Sequence, residues 1–359
     1  MIKTDRRTFG LGAIGASVIT APISARTALV EPFEPLTRRW HRISSLDLPM
    51  PLVRGCPATP PPVHNLIGTT YYTDSKNSVI DRERLAHWRE QRRPLTAFIE
   101  AVQSQASVWL ASLGRNEEAA ACAARMLNDW ARADALAGDV NFQGMSAVRW
   151  STAGVAMAYL SIWRSSAVDV EAARRIQSWF GKLALRCRAS AKTLRNNHLY
   201  WAGAAAAAAA VAANDQETFA WAIRAGQEGV AQITSEGALP RELARGSRAL
   251  DYHCFALSAL LLIAELAAAN GYDLYSENDR ALARLVNLVL RSMDDPSKME
   301  RLADSAQIWS KPSDHSLAWG EIWHARFPLQ KLQDLLSELR PLSMAYMGGN
   351  QTLLFGKTL

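Results

Sequence analysis

The chain has 359 residues, 49% of them hydrophobic, enough for one large domain or two ordinary ones, and no composition break divides it. Its formal charge is +6, but residues 1–28 hold Lys3, Arg6, Arg7 and Arg26 against Asp5, so half of that excess lies in the first 28 residues and the rest is too weakly basic for nucleic-acid binding. Four cysteines, Cys56, Cys122, Cys187 and Cys254, stand in no CxxC or CxxH pattern, which argues against zinc and fits one disulfide plus two buried thiols.

The N-terminus comes first in the chain. Thr4-Asp5-Arg6-Arg7-Thr8-Phe9-Gly10-Leu11 carries the paired arginines of a twin-arginine export signal, followed by a mildly apolar stretch to Ala25 and then Arg26. This predicts a signal peptide over 1–28, a periplasmic protein and a mature chain of 29–359 forming a single domain. An ordinary amphipathic N-terminal helix is the alternative. Residues 29–65 are proline-rich and irregular, with Pro57-Ala58-Thr59-Pro60-Pro61-Pro62 as the clearest breaker. Residues 66–80 are polar and rich in Thr, Ser and Tyr, a candidate loop over a cleft.

From Arg82 onward the spacing is helical, at about 82–112, 116–136, 147–163, 169–188, 199–213, 216–232, 248–269 and 278–292. Short connectors imply antiparallel neighbours. The fold class is therefore all-α, and many paired helices without a repeat motif suggest an α/α toroid around a central cleft. Leu199 to Ala213 are fifteen consecutive apolar or glycine residues, too few for a membrane span, which needs roughly twenty. Their small side chains suit an inner helix packed on all sides.

Two polar clusters sit just before apolar helices. The first is Arg195-Asn196-Asn197-His198-Leu199-Tyr200-Trp201. Its plainer explanation is that Asn196 or Asn197 caps the following helix. In the second, Arg241, Arg245, Arg248 and Tyr252 fall at i, i+4, i+7 and i+11, one stripe if the helix runs unbroken through Gly246. An exposed basic face paired to acids elsewhere is the competing reading.

Together the clusters offer amide, imidazole, guanidinium and phenol, but no matched pair of carboxylates. Glycoside hydrolysis normally needs two acids flanking the bond, and Glu242, Asp251 and Glu265 are not spaced as partners. β-Elimination in a uronate needs something else. The carboxylate must be neutralised, a base must take the C5 proton, and an acid must protonate the departing C4 oxygen. Asn and Arg suit the first task, Tyr and His the others. Cationic neighbours are expected to lower the phenol pKa from its usual value near ~10.

Asn-Asn-His-x-Tyr-Trp before an Ala-rich helix, then Leu-Pro-x-Glu-Leu-x-Arg-x-x-Arg-Ala-Leu-x-Tyr-His, resembles polysaccharide lyase family 5, the periplasmic alginate lyases. The resemblance runs through Asp129 to Leu136, Arg174 to Phe180 and Ala268 to Leu274, covers roughly 54–323, and returns at Gly348-Gly349. It implies an incomplete α/α toroid with a deep cleft. It also implies that Asn197 and His198 neutralise the uronate carboxylate, that Arg245 is an active-site arginine and that Tyr252 is the catalytic tyrosine. Cys56 and Cys122 match a disulfide pair, and Lys76 lies in a lid loop over the cleft. Arg241, Arg248, Trp130 and Trp201 are the further candidates for binding sugar. No metal or other cofactor is expected.

The departures from the family pattern are Asn77 after the lid lysine, Tyr346-Met347-Gly348-Gly349 for Arg-Leu-Gly-Gly, Leu353 for an arginine, and no C-terminal cysteine pair. All are expected at substrate subsites or the cleft rim. In β-D-mannuronate the C5 hydrogen and C4 oxygen leave from the same side, so Tyr252 alone can serve as base and acid. α-L-Guluronate would need a second residue, His198. Polyglucuronate shares the syn geometry. The expected partner is thus an anionic polysaccharide, with polymannuronate first and polyglucuronate second. A non-catalytic polysaccharide-binding protein and a hydrolase are the rival readings.

Overall fold

A computed structural model describes residues 28–35, Arg38, Leu46, Leu48 and 55–357. The expected signal peptide lies outside these residues. Among the described residues nine main helices follow one another: α1 (Arg82–Gln91), α2 (Arg93–Ala111), α3 (Glu117–Arg132), α4 (Phe142–Ile162), α5 (Val170–Ala189), α6 (Asn197–Ala213), α7 (Gln216–Ala231), α8 (Ala249–Ala269) and α9 (Glu277–Asp294). Shorter helical turns occupy Pro240–Leu243, Ser297–Ala303, Asp314–Leu317, Trp319–Arg326, Gln330–Leu339 and Gln351–Phe355.

From α2 onward the helices alternate between two layers. Helices α2, α4, α6 and α8 touch in succession and form an inner row, while α3, α5, α7 and α9 touch in succession outside them. Composition sorts the rows. In α4, α6 and α8 nearly every residue is buried, because an inner helix has neighbours on all sides. The outer helices keep polar faces to solvent, as Arg174, Arg175 and Lys182 do on α5. Helix α6 is the hub, touching α4, α5, α7 and α8. Its alanines let four backbones approach closely, and only His198 and Ala213 escape full burial. Gly246–Ala269, which takes in α8, is long and apolar enough to cross a membrane, yet 78% of its most apolar window is buried inside the protein, as a core helix is.

The expected helix over 82–112 is two helices. Pro94 has no N–H and sits in the first turn of α2, so the ladder of α1 stops at Arg92. Helix α4 starts at Phe142, earlier than its apolar run, because the Asn141 side chain caps it by accepting from the Gly144 N–H at 2.9 Å.

Cys56 and Cys122 form a disulfide, Cα–Cα 5.6 Å, that clips the irregular N-terminal segment to α3, while Cys187 and Cys254 are buried free thiols. The C-terminal segment folds as a short hairpin, Ser343–Met344 paired with Gly349–Asn350. It is anchored by a buried ion pair in which Arg340 donates to both Glu321 oxygens at 2.9 and 2.8 Å. Gly154 on α4 lets the Ala345 carbonyl lie where a Cβ would be, bringing Tyr346 over the inner row.

Candidate active site

All four inner helices begin at one cavity of about 490 Å³. Arg92 precedes α2, Asn141 and Phe142 open α4, Asn197 and His198 open α6, and Arg248, Asp251 and Tyr252 surround the start of α8; all of them line the cavity. The positive ends of four helix dipoles therefore converge on it, an arrangement suited to an anion. The remaining side is the 66–80 loop, which contributes Gly68, Thr70, Tyr71, Tyr72 and Asn77, as its polar composition suggested.

Asn196 is the cap of α6, its side chain accepting from the His198 N–H at 3.2 Å. That frees Asn197 for another partner. Its backbone N–H and Nδ2 donate to the two oxygens of Glu242 at 2.7 and 2.9 Å, and its Oδ1 is buried with no partner. Glu242 is fully buried, and burial outweighs these bonds and Arg245, pushing its pKa up. His198 lies between Phe142, edge-on at 4.9 Å, and Trp150, parallel at 6.3 Å, with Nδ1 3.4 Å from Ser146 Oγ. Burial first, then the cations Arg149 and Arg245, lower its pKa to about 3, so the imidazole is neutral at neutral pH.

Tyr252 Oη donates to Tyr72 Oη at 2.9 Å, and the Arg245 guanidinium carbon sits 4.6 Å from the centre of the Tyr252 ring. Arg248 donates to Tyr72 Oη at 3.3 Å and to Asp251 at 2.7 Å. The expectation of a lowered phenol pKa is corrected here. Desolvation is the largest influence on Tyr252, and it outweighs the bond with Tyr72 and the pull of Arg245 and Arg248, so the pKa rises.

The structure thus gathers Asn197, His198, Arg245, Arg248 and Tyr252 around one cavity. Four expected residues lie elsewhere. Gly246 takes φ +57, which breaks the helix between Leu243 and Ala249; the stripe is interrupted and Arg241 is left exposed outside the cavity. Trp130 is fully buried, stacked on Phe98 at 3.7 Å with its Nε1 donating to the Pro60 carbonyl. Trp201 is also fully buried, beneath Phe255. Both are core. Lys76 is exposed and reaches the site only through its carbonyl, 3.5 Å from Arg245 Nη1, while its neighbour Asn77 lines the cavity.

Sequence reasoning passed over Tyr71, Tyr72, Arg92, Trp150, Phe255 and His315, which all line the cavity. The Tyr71-Tyr72 pair in the expected cleft loop was a usable signal; Arg92, within an Arg- and Glu-rich stretch, offered none. Of the departures from the family pattern, Asn77 and Tyr346 do line the cavity, but Leu353 is 2% exposed in the core of the terminal helix, not on a rim. An apolar side chain there seals the C-terminal packing.

The alginate lyase family model matches residues 61–299. An alginate lyase of Pseudomonas aeruginosa strain PAO1 is 30% identical over 360 residues, 96% of each chain. The chain belongs to the alginate lyase family. A polysaccharide lyase of Stenotrophomonas maltophilia strain K279a is 32% identical over 308 residues, 83% of this chain and 90% of that one. Alginate lyase A1-III from Sphingomonas species A1 has the same fold, with a TM-score of 0.77 at 23% identity over 91% of this chain and 96% of that one. The two helical rows are thus the α/α toroid of the alginate lyases, and the cavity lies where the inner row of this lyase begins.

Proposed function

We infer that this polysaccharide lyase cleaves an anionic polyuronate by β-elimination, leaving a C4–C5 unsaturated uronate at the new non-reducing end. One observation carries the reaction type. Asp251 is the only carboxylate among the described cavity-lining residues, and Arg248 already engages it. A hydrolase needs two acids across the bond. Glu242 is enclosed by Asn197 and Arg245, and Glu265 is held by Arg326 and Tyr275 away from the cavity.

The geometry supports the following roles. Asn197, held rigid by Glu242, and neutral His198 hydrogen-bond the uronate carboxylate, while Arg245 supplies positive charge as electron density moves onto it. Tyr252, as phenolate, takes the C5 proton and returns it to the C4 oxygen as that bond breaks. Tyr72 hydrogen-bonds the phenolic oxygen throughout. Acting on one face, this single group matches the syn geometry of polymannuronate, the first-choice substrate.

Polyglucuronate, also syn, is the second choice, favoured by Asn77 and Tyr346 in the cavity wall where the family pattern differs. The test is the ultraviolet absorbance of the unsaturated product with polymannuronate, polyguluronate and polyglucuronate in separate reactions. Absorbance rising in none of them would sink the lyase reading.

The site of action is taken to be the periplasm, reached by the twin-arginine segment. The Cys56–Cys122 disulfide supports an oxidising compartment. Replacing Arg6 and Arg7 with lysine should retain the protein in the cytoplasmic fraction; unchanged export would remove this assignment.

A further inference from the structure

Three guanidinium groups line the cavity, and two have a carboxylate beside them: Arg245 lies 3.7 Å from Glu242, and Arg248 lies 2.7 Å from Asp251. The third is Arg92. Among the described residues no carboxylate comes within 4.0 Å of it, and its bond in the cavity is donated by Nη1 to Tyr346 Oη at 2.9 Å. Tyr346 in turn lies parallel to Trp150 at 5.3 Å, and Trp150 carries His198 on its other contact at 6.3 Å. Arg92 is thus set one indole beyond the reacting centre, at the start of the first inner helix, and it is the lining guanidinium with no carboxylate beside it among the described residues.

A second cavity of about 370 Å³ shares Arg92, His315 and Tyr346 with the first and adds the carboxylates Glu100 and Asp314. Arg92 therefore stands between the cationic cavity and the two carboxylates.

We propose that Arg92 binds the carboxylate of a uronate neighbouring the one that reacts, with Tyr346 holding the guanidinium in place, so that this pair sets the polymer's position along the cleft. The inference rests on the polyuronate reading above. The carboxylate accepts from the guanidinium nitrogens that Tyr346 leaves free, and the sugar face lies against the Tyr346 and Trp150 rings.

Binding of a saturated mannuronate tetramer is measured by calorimetry with Tyr252→Phe protein, in which turnover is slowed, and again with Arg92→Met or Arg92→Lys added. The expected result is a Kd raised about tenfold by Arg92→Met, partly restored by Arg92→Lys, with a shallower salt dependence. A carboxyl-reduced tetramer should bind equally to parent and Arg92→Met. Because Arg92 sits at a helix junction, Tyr346→Phe is a second probe that spares the backbone and should weaken the acidic tetramer alone. Unchanged affinity for the acidic tetramer in Arg92→Met, or equal loss for the reduced one, overturns the proposal. Failure of the parent to bind mannuronate and glucuronate tetramers alike would bring down the polyuronate reading, and this inference with it. Binding without turnover by the wild type would leave Arg92 standing and remove only the lyase chemistry.

Discussion

Glu242 holds Asn197 by two nitrogens at once, the backbone N–H at 2.7 Å and the side-chain Nδ2 at 2.9 Å, with both residues buried. The two come from separate polar clusters, and the contact locks the start of α6 to the turn before α8. A buried carboxylate with so few partners is a poor contributor to stability but a good way to fix an amide.

Glu242→Ala should therefore lower kcat/KM by roughly 10²-fold, because a displaced amide loses alignment with the uronate carboxylate. Glu242→Gln, which keeps the shape, should retain more activity. Equal activity of Glu242→Ala and wild type on polymannuronate would show that Asn197 needs no such support.

Tyr252→Phe removes the proton-transferring group and should cost roughly 10²–10⁴ in kcat while leaving oligomer affinity close to wild type. A loss below about tenfold would assign proton transfer to another residue, with His198 the next to test.

The pH–rate profile should climb steadily into the alkaline range, because the working phenolate forms only as pH approaches a Tyr252 pKa that burial has raised. The bond with Tyr72 opposes that rise, so Tyr72→Phe should displace the climb to still higher pH. An optimum on the acidic side of neutrality would contradict a phenolate base.

Stability should fall on acidification for a specific reason. His253 is fully buried, its Nδ1 bonded to the Ala249 carbonyl at 2.7 Å and its Nε2 accepting from the Leu239 N–H at 3.0 Å, and burial lowers its pKa to about 4. With a folded pKa below the unfolded one, its contribution is present above about pH 6.5 and is lost as pH falls through about 4. The loss is on the order of 3 kcal/mol by pH 4. His198 follows the same sign over the same window, down to about 3. Denaturant midpoints in His253→Gln should be flatter over this interval; an unchanged slope would remove His253 from the account.

Replacing Cys56 and Cys122 with serine opens a closure spanning 66 residues and should cost about 2–4 kcal/mol of unfolding free energy. Activity at low temperature should persist, since neither residue lines the cavity. Loss of activity without loss of stability would contradict this.

The helical segments and the inner place of residues 199–213 were legible in the chain, because a helix with neighbours on all sides must be apolar all round. The Asn197-His198 and Arg245-to-Tyr252 clusters were legible too, since polar groups crowded against apolar runs have few places to go. Only the tertiary structure could decide which side chains meet. One left-handed glycine, Gly246, expelled Arg241 from the stripe. Burial converted Trp130 and Trp201 from sugar platforms to core and raised the Tyr252 pKa against the pull of its arginines. Tyr72, Arg92 and Tyr346 come from three distant stretches and acquire meaning only where the inner helices begin together. Local sequence records what a residue offers its own helix; desolvation and charge pairing are properties of neighbours, and neighbours are set by packing.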